Sequence, residues 1–145
     1  MSYQDAEFFK ELLAMFKMEC QEHLDTMDSG LKKLAESPSD AERTETLETV
    51  FRAAHSLKGA ARTVGQTDLE PIGQSLEYTF AKLKQKDIKS SIEIFNELSS
   101  LLHEIISKLS GLLTTLNEQG KLEGDKMEIM RLIDEVNNKI GLMGE

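Results

Sequence analysis

The segment from Val50 to Gln66 (VFRAAHSLKGAARTVGQ) differs from the rest of this 145-residue chain in charge and in helix chemistry. It contains Arg52, Lys58 and Arg62 and no acidic residue, whereas the whole chain has 17 basic and 26 acidic residues and a formal net charge of -9. It also contains Gly59 inside a helical pattern, where glycine costs about 1 kcal/mol relative to alanine. Local positive charge beside a bare stretch of backbone indicates a surface that a partner can approach closely.

His55 lies within this segment, at the edge of the apolar face of the predicted helix. With Ala54 at zero and about 100° per residue, the apolar face covers about -80° to +60°, and His55 falls at about +100°. The three basic residues lie around it at i-3, i+3 and i+7, and Gly59 lies one turn away at i+4. A nucleophilic imidazole with nearby positive charge and steric access has the properties of a site for a phosphate group.

Glu77, on the next predicted helix, can supply a partner for this imidazole. The apolar stripe of that helix centres near Leu76, which places Glu77 about 100° away, again at the rim. Two antiparallel helices can bring such a carboxylate against His55, where it fixes the tautomer through Nδ1–H and leaves the Nε2 lone pair facing outward. The same orienting principle operates in Ser-His-Asp triads, here with the histidine itself as the nucleophile.

Each of these signals also has a structural explanation. A histidine at the edge of an amphipathic helix is often only solvated, a glycine inside a helix is often a packing notch, and a few basic residues often form a solvated face. From the residues alone, the chemical and the structural interpretations of the segment both stay open.

Apolar residues recur every 3.6 positions and predict five helices and no strands. The first helix is predicted to begin near Asp5, Ser39 or Asp40 can cap the second, and Asp68 can cap the third. The apolar stripes of the fourth and fifth helices begin at Ile94 and Met127. Ser37-Pro38 ends the first helix and Gly65 the second, and a polar loop covers residues 117–124. The predicted apolar stripes are, in chain order, Phe8, Leu12, Met15, Phe16, Met27, Leu31 and Leu34; Leu47, Val50, Phe51, Ala54, Leu57, Ala61 and Val64; Leu69, Ile72, Leu76, Phe80 and Leu83; Ile94, Phe95, Leu98, Leu101, Leu102, Ile105, Ile106, Leu109, Leu112, Leu113 and Leu116; and Met127, Met130, Ile133, Val136 and Ile140.

Short connections between these helices favour antiparallel packing of consecutive elements. We therefore predict an all-α fold, an antiparallel up-and-down four-helix bundle with an additional C-terminal helix attached to its side. One domain is predicted over residues 1–140, with residues 141–145 as the start of a linker.

Composition excludes several classes of protein. The chain is 39% hydrophobic and has 2 prolines and no tryptophan, which argues against disorder and against an all-β sandwich. A single cysteine, Cys20, excludes a disulfide framework and is expected to be an inert core thiol in a reducing compartment. The acidic balance argues against a nucleic-acid partner, and neither a signal peptide nor a membrane span is visible. We expect a cytoplasmic protein.

Other candidate sites are weaker. His103 and Glu104 begin like the zinc motif H-E-x-x-H, but Ser107 stands where the second histidine belongs. His23 has no histidine or cysteine at metal-ligand spacing. No G-x-x-x-x-G-K-[ST] loop is present. We therefore expect no metal site and no cofactor bound by this domain.

The stretch FRAAHSLKGAARTVG resembles the phosphoacceptor motif H-x-x-K-G-x-x-x-x-x-G of histidine-phosphotransfer (HPt) domains, filled here by His55, Lys58, Gly59 and Gly65. The F-R-A-A before the histidine is most similar to the N-terminal domains of chemotaxis sensor kinases. The resemblance covers most of the chain in helix order and spacing. There are departures: Gln74 stands where chemotaxis kinases often have a second histidine.

The resemblance implies phosphorylation of His55 on Nε2, with Glu77 orienting the ring and Lys58 near the phosphoryl group. Gly59, Arg52, Arg62 and Gln74 are then expected at the surface where partners dock, and Ala60 and Arg62 occupy positions where the family commonly has glycine.

The expected function is phosphoryl relay in a two-component chemotaxis system. His55 takes a phosphoryl group from ATP, which is held with Mg²⁺ by the ATP-binding kinase domain of the same, dimeric parent. It then passes the group to an aspartate of a response-regulator receiver domain. Two alternatives stay open: a freestanding or hybrid-kinase HPt protein, and a non-catalytic helical module that binds partner helices.

Overall fold

The computed structural model describes residues 2–36, 39–85 and 88–143, without the side chains of residues 88–94 and 142–143. These residues form five helices: α1 (Tyr3–Ala35), α2 (Asp40–Thr63), α3 (Leu69–Gln85), α4 (Ile88–Leu113) and α5 (Met127–Met143). Within the described ranges the only β pairing is an isolated bridge between Leu116 and Leu122. The predicted all-α bundle is confirmed. The predicted stop at Ser37-Pro38 and the side chain of Ile94 lie outside the described residues.

Local chemistry explains where the helices begin and end. The Ser2 hydroxyl accepts a hydrogen bond from the Asp5 N–H at 3.1 Å, so α1 begins slightly earlier than predicted. Ser39 is the residue that caps α2, since its hydroxyl accepts from the Glu42 N–H at 3.3 Å. At the other end of α2, Gly65 adopts φ +72° and the Gln66 N–H returns to a carbonyl in the last turn.

This last turn of α2 decides how α3 meets α2. The Gln66 N–H donates to the Ala61 carbonyl at 2.8 Å and the Gly65 N–H to the Arg62 carbonyl at 3.2 Å. This pair of bonds is the Schellman arrangement, which requires a left-handed residue at the position of Gly65. The chain therefore reverses tightly, and α3 packs back along α2.

The core lies on one face of α1 that differs from the predicted stripe. Phe8 and Met15 are exposed, whereas Leu13, Cys20 and Leu24 are buried. Measured from the buried Phe16 at about 100° per residue, these three lie at about +40° to +80°, while Phe8 and Met15 lie at about -80° and -100°. The prediction placed too wide a set of apolar residues on one face, and the members on its far edge face solvent.

Cys20 is part of this core, as predicted. The thiol is free and fully buried. Burial, with a smaller effect of Glu19, raises the pKa of the Cys20 thiol to about 12. The thiolate is therefore strongly disfavoured in the folded protein, in agreement with an inert core thiol.

Helix α5 packs against both α3 and α4 and contributes to the same core as the other helices. The Thr79 hydroxyl of α3 donates to the Asn137 side chain of α5 at 2.8 Å. The predicted stripe of α5 needs three corrections, because Met127 is exposed, whereas Ile129 and Leu132 are buried. The helix also continues to Met143, so residues 141–143 of the predicted linker are helical.

The end of α4 and the following loop also differ from prediction. Helix α4 ends at Leu113, and Leu116 lies beyond it in the bridge with Leu122. Leu122 is buried, although the sequence placed it in a polar loop. No helix within the described ranges combines the length and the apolar character needed to cross a bilayer.

Candidate functional site

The α2–α3 pair brings His55, Lys58 and Glu77 together. Nδ1 of His55 lies 3.2 Å from Oε2 of Glu77, and Nζ of Lys58 lies 2.7 Å from the same oxygen. The single carboxylate therefore faces both the imidazole and the ammonium group. The sequence predicted these three residues for one site; their chemical roles stay predictions.

Burial differs across the cluster. The His55 side chain is 62% exposed, whereas those of Glu77 and Lys58 are 21% and 17% exposed. The Glu77 Oε2 atom itself is closed to solvent, and its contacts with His55 and Lys58 are close charge contacts without hydrogen-bond geometry. Within the described part of the chain, Nε2 of His55 has no polar partner. The Nδ1 side of the ring therefore faces the Glu77 carboxylate, and the Nε2 side faces solvent.

The carboxylate is ionised at neutral pH. Burial is the largest single influence and raises the pKa of Glu77, but the contacts with Lys58 and His55 together outweigh it. The pKa of Glu77 is therefore held below its ordinary value of 4.5. A negative charge fixed beside Nδ1 favours the tautomer with the proton on Nδ1 and stabilises positive charge that develops on the ring.

Gly59 lies one turn after His55 on the same helix. A Cβ added at Gly59 would meet no atom within 4 Å. The missing side chain therefore leaves open space rather than filling a tight contact inside the molecule. Packing among the described residues therefore does not require glycine at this position.

Arg52 and Arg62 are exposed, as expected of docking residues, but neither is a bare charge. Arg52 Nε lies 3.0 Å from Glu48 and Arg62 Nε lies 2.8 Å from Glu70. Lys84 also contacts Glu48. The basic segment contains no acid, yet neighbouring residues supply a carboxylate to each of its cations. The positive potential at the site is weaker than the sequence suggested.

Two further residues of α3 lie near the cluster, one exposed and one buried. Gln74 is exposed, three residues before Glu77. Gly73 is buried, and it was missed by the sequence analysis. A Cβ at Gly73 would lie 3.0 Å from both Cα and N of Lys58, so α3 touches the backbone of α2 directly at the site. Its position inside a predicted helix is the signal that could have identified Gly73, since the same signal identified Gly59.

The other two histidines lie elsewhere. Nδ1 of His103 is 3.2 Å from Oδ1 of Asp28, across the α1–α4 contact. Nε2 of His23 is 3.5 Å from Glu19 Oε1 and is closed to solvent. Among the described residues, no three His, Cys, Asp or Glu side chains are grouped so that they could hold a metal ion.

Residues 11–111 match the family model described as "Hpt domain". The chain belongs to the Hpt domain family. This match runs from within α1 to within α4 and includes every residue of the cluster on α2 and α3. No solved structure gave a significant match.

Curated relatives of this Hpt domain carry the name "Chemotaxis protein CheA". The chain is 28% identical over 124 residues to the protein of Bacillus subtilis, which is 86% of this chain and 17% of that protein. It is 33% identical over 84 residues to the protein of Rhizobium meliloti, which is 58% of this chain and 11% of that protein. The matched region thus spans less than a fifth of the length of these relatives.

Proposed function

We propose that this Hpt domain carries a phosphoryl group on Nε2 of His55, between a kinase domain that holds ATP and an aspartate of a receiver domain. The observation that supports the proposal is the arrangement of His55, whose Nδ1 faces the buried carboxylate of Glu77 at 3.2 Å while the ring is 62% exposed. A purely structural histidine has no need of this combination.

In the first step, the lone pair of Nε2 attacks the γ-phosphorus of ATP. The bond from that phosphorus to the β–γ bridging oxygen breaks, and ADP leaves. The phosphorylated ring keeps its proton on Nδ1 and carries a positive charge, which the carboxylate of Glu77 stabilises. In the second step, a carboxylate oxygen of the receiver aspartate attacks the phosphorus, the N–P bond breaks, and its electron pair returns to Nε2.

Lys58 has two tasks in this proposal. Its ammonium group lies 2.7 Å from Oε2 of Glu77, which keeps the carboxylate ionised and in place. The remaining N–H donors of the same group can turn to a phosphoryl group on Nε2, three residues before it on the helix. Phosphoryl transfer depends mainly on positioning and on charge stabilisation, so this is the contribution expected of the carrier.

The proposed docking surface is the exposed face of α2 together with the adjoining part of α3. Gly59 leaves open space beside His55, and the exposed Arg52, Arg62 and Gln74 lie around it. An aspartate-bearing, metal-binding pocket is acidic, so exposed arginines favour its approach. Because each arginine already contacts a glutamate, docking has to redistribute these ion pairs.

The similarity to chemotaxis kinases supports a kinase parent. In this proposal a separate ATP-binding domain of that dimeric parent binds ATP with Mg²⁺ and phosphorylates His55 in trans, and the Hpt domain binds no cofactor of its own. The reaction takes place in the cytoplasm, where ATP is available.

A radiolabel time course tests the proposed function. With γ-labelled ATP and Mg²⁺ alone, the chain is expected to stay unlabelled. Addition of a kinase core from the same system should give an acid-labile, base-stable label on His55, and a receiver domain added next should remove it. Labelling by ATP alone would show that the chain is an enzyme, and no label with the core would contradict the carrier role.

A further inference from the structure

Gly73 is the point near the cluster where α3 touches the backbone of α2. It is a buried residue of α3, one helical turn before Glu77. A Cβ at this position would be 3.0 Å from the Cα and the N of Lys58 and 3.2 Å from its Cβ. Two of these three atoms are backbone, so they cannot rotate aside as a flexible side chain could. Any side chain at position 73 has to move one helix away from the other by a few tenths of an ångström.

The position of this contact matters because it affects both the carboxylate beside the imidazole and the lysine that contacts this carboxylate. Lys58 is itself the residue that Gly73 touches, and Glu77 follows Gly73 by four residues on the same face of α3. The carboxylate spans the gap between the helices to reach Nδ1 of His55 at 3.2 Å. That distance is already at the long end of the hydrogen-bond range. A shift of α3 by a few tenths of an ångström therefore lengthens and weakens this contact.

We propose that Gly73 is a positioning residue for phosphoryl transfer. By letting α3 rest on the backbone of Lys58, it sets the distance from the Glu77 carboxylate to His55 Nδ1 and Lys58 Nζ. It touches no reacting atom and acts only through Glu77. The expected effect on the rate of phosphoryl transfer rests on the proposed function. The effect of Gly73 on the distance between the Glu77 carboxylate and His55 does not depend on that function.

Gly73→Ala is the direct test. The rate of labelling by the kinase core should fall by about 3- to 10-fold, a part of the 10- to 100-fold that loss of an orienting partner costs. The ¹⁵N chemical shifts of the His55 ring should move in the same direction as in Glu77→Gln, because the tautomer preference weakens. Unchanged ring shifts together with an unchanged rate would overturn the proposal.

Gly111→Ala is the matched control. Gly111 is also a helical glycine, on α4, and a Cβ there would meet nothing within 4 Å. Both substitutions replace glycine with a better helix former, so a general effect of helix propensity would appear in both variants. We expect Gly111→Ala to label at the wild-type rate with unchanged ring shifts. Equal behaviour of the two variants would contradict a positioning role.

A double-mutant cycle decides whether Gly73 acts through the carboxylate. In the Glu77→Gln background, Gly73→Ala should cause no further loss of rate, because the group that it positions is already gone. A full additional loss in that background would show a different mechanism and would overturn the proposal.

Glu77→Asp is a second variant that withdraws the carboxylate without touching the helix contact. It should change the ¹⁵N chemical shifts of the His55 ring and slow labelling, as Gly73→Ala does. If circular dichroism shows that Gly73→Ala is poorly folded, Glu77→Asp provides the test instead. A wild-type rate in Glu77→Asp would show that the carboxylate distance does not matter. Should the wild-type chain accept no phosphate at all, the proposed function fails, and the ring shifts alone still test the placement of Gly73.

Discussion

The molecule contains two histidine–carboxylate pairs with the same contact distance. Nδ1 of His55 lies 3.2 Å from Glu77, and Nδ1 of His103 lies 3.2 Å from Asp28. In each pair a lysine contacts the same carboxylate group, at 2.7 Å on Glu77 and at 3.0 Å on Asp28. The contact distance of the imidazole therefore does not distinguish a site of chemistry from a link between helices. Of the two contacts, only the one between His103 and Asp28 has hydrogen-bond geometry.

The surroundings of the two rings distinguish them. His55 is 62% exposed, and His103 is 33% exposed. One turn after His55 stands Gly59, where the surface is open, whereas one turn after His103 stands Ser107. The ring of His55 contacts Glu77 through Nδ1 and faces solvent, whereas the ring of His103 lies at the contact between α1 and α4. The exposure of the ring and the burial of its carboxylate, rather than the presence of a pair, distinguish His55 as the candidate for chemistry.

The largest expected effect comes from replacing each histidine in turn. His55→Gln should reduce labelling by the kinase core to background, because the nucleophile is removed while little packing is lost. His103→Gln should label as the wild type does. Autoradiography of both variants, with circular dichroism as a check on folding, makes the comparison. A persistent label in His55→Gln that disappears in His103→Gln would reverse the assignment.

The second comparison removes the carboxylates. Glu77→Ala should slow labelling by about 10- to 100-fold, the usual cost of losing a group that orients an imidazole. The reaction should not stop, since Nε2 remains. Asp28→Ala should leave the rate unchanged, although it removes an equivalent contact from His103. Initial rates at saturating kinase measure both, and equal losses in the two variants would show that the effect is one of general stability.

The lysines provide the third comparison. Lys58→Ala should lower both phosphorylation and transfer to the receiver by about 10-fold, the loss of one hydrogen bond to a charged group. Its side chain is only 17% exposed, so the unfolding free energy should also fall, by about 1 kcal/mol. Lys32→Ala is the control, because Lys32 is 67% exposed and pairs with Asp28. Wild-type rates in both directions for Lys58→Ala would contradict its role.

The five helices and the proximity of His55, Lys58 and Glu77 could be predicted from the sequence, because both follow from local rules. The apolar period predicts a helix whatever lies opposite it, and the positions of His55 and Glu77 on the rims of their helices follow from 100° per residue. The failures were non-local. Phe8 and Met15 are apolar and correctly spaced, but only the packing of α1 against its neighbours decides that they face solvent.

The same limit applies to the site. The pairing of Arg62 with Glu70 depends on how α3 lies on α2, and the segment around His55 gives no sign of it. The importance of Gly73 depends on a contact with Lys58, fifteen positions earlier in the sequence. Residue types that do chemistry can be found from local pattern, whereas the residues that set distances between helices require the structure.

The smallest expected effect is on the pH dependence of stability, where the two pairs should behave alike. Burial raises the pKa of Glu77, and its contacts with Lys58 and His55 outweigh this and lower it overall; the pKa of Asp28 is lowered mainly by its contact with Lys32. A carboxyl group with a lowered pKa in the folded state binds its proton less tightly there than in the unfolded chain. Its contribution is therefore complete above the ordinary values of 4.5 for Glu77 and 3.8 for Asp28, and is lost as the pH falls through the lower folded values.

Urea unfolding at a series of pH values from about 6 down to about 3 measures these contributions. Glu77→Gln and Asp28→Asn should each flatten the loss of stability on acidification, by less than about 1 kcal/mol because both pairs are partly solvated. Only Glu77→Gln should also slow labelling at neutral pH. An acid slope identical to that of the wild type in both variants would show that neither carboxylate is held by its partners. If both variants flatten the acid slope equally but only Glu77→Gln slows labelling, both pairs stabilise the fold. The effect on labelling then belongs to the exposed ring of His55.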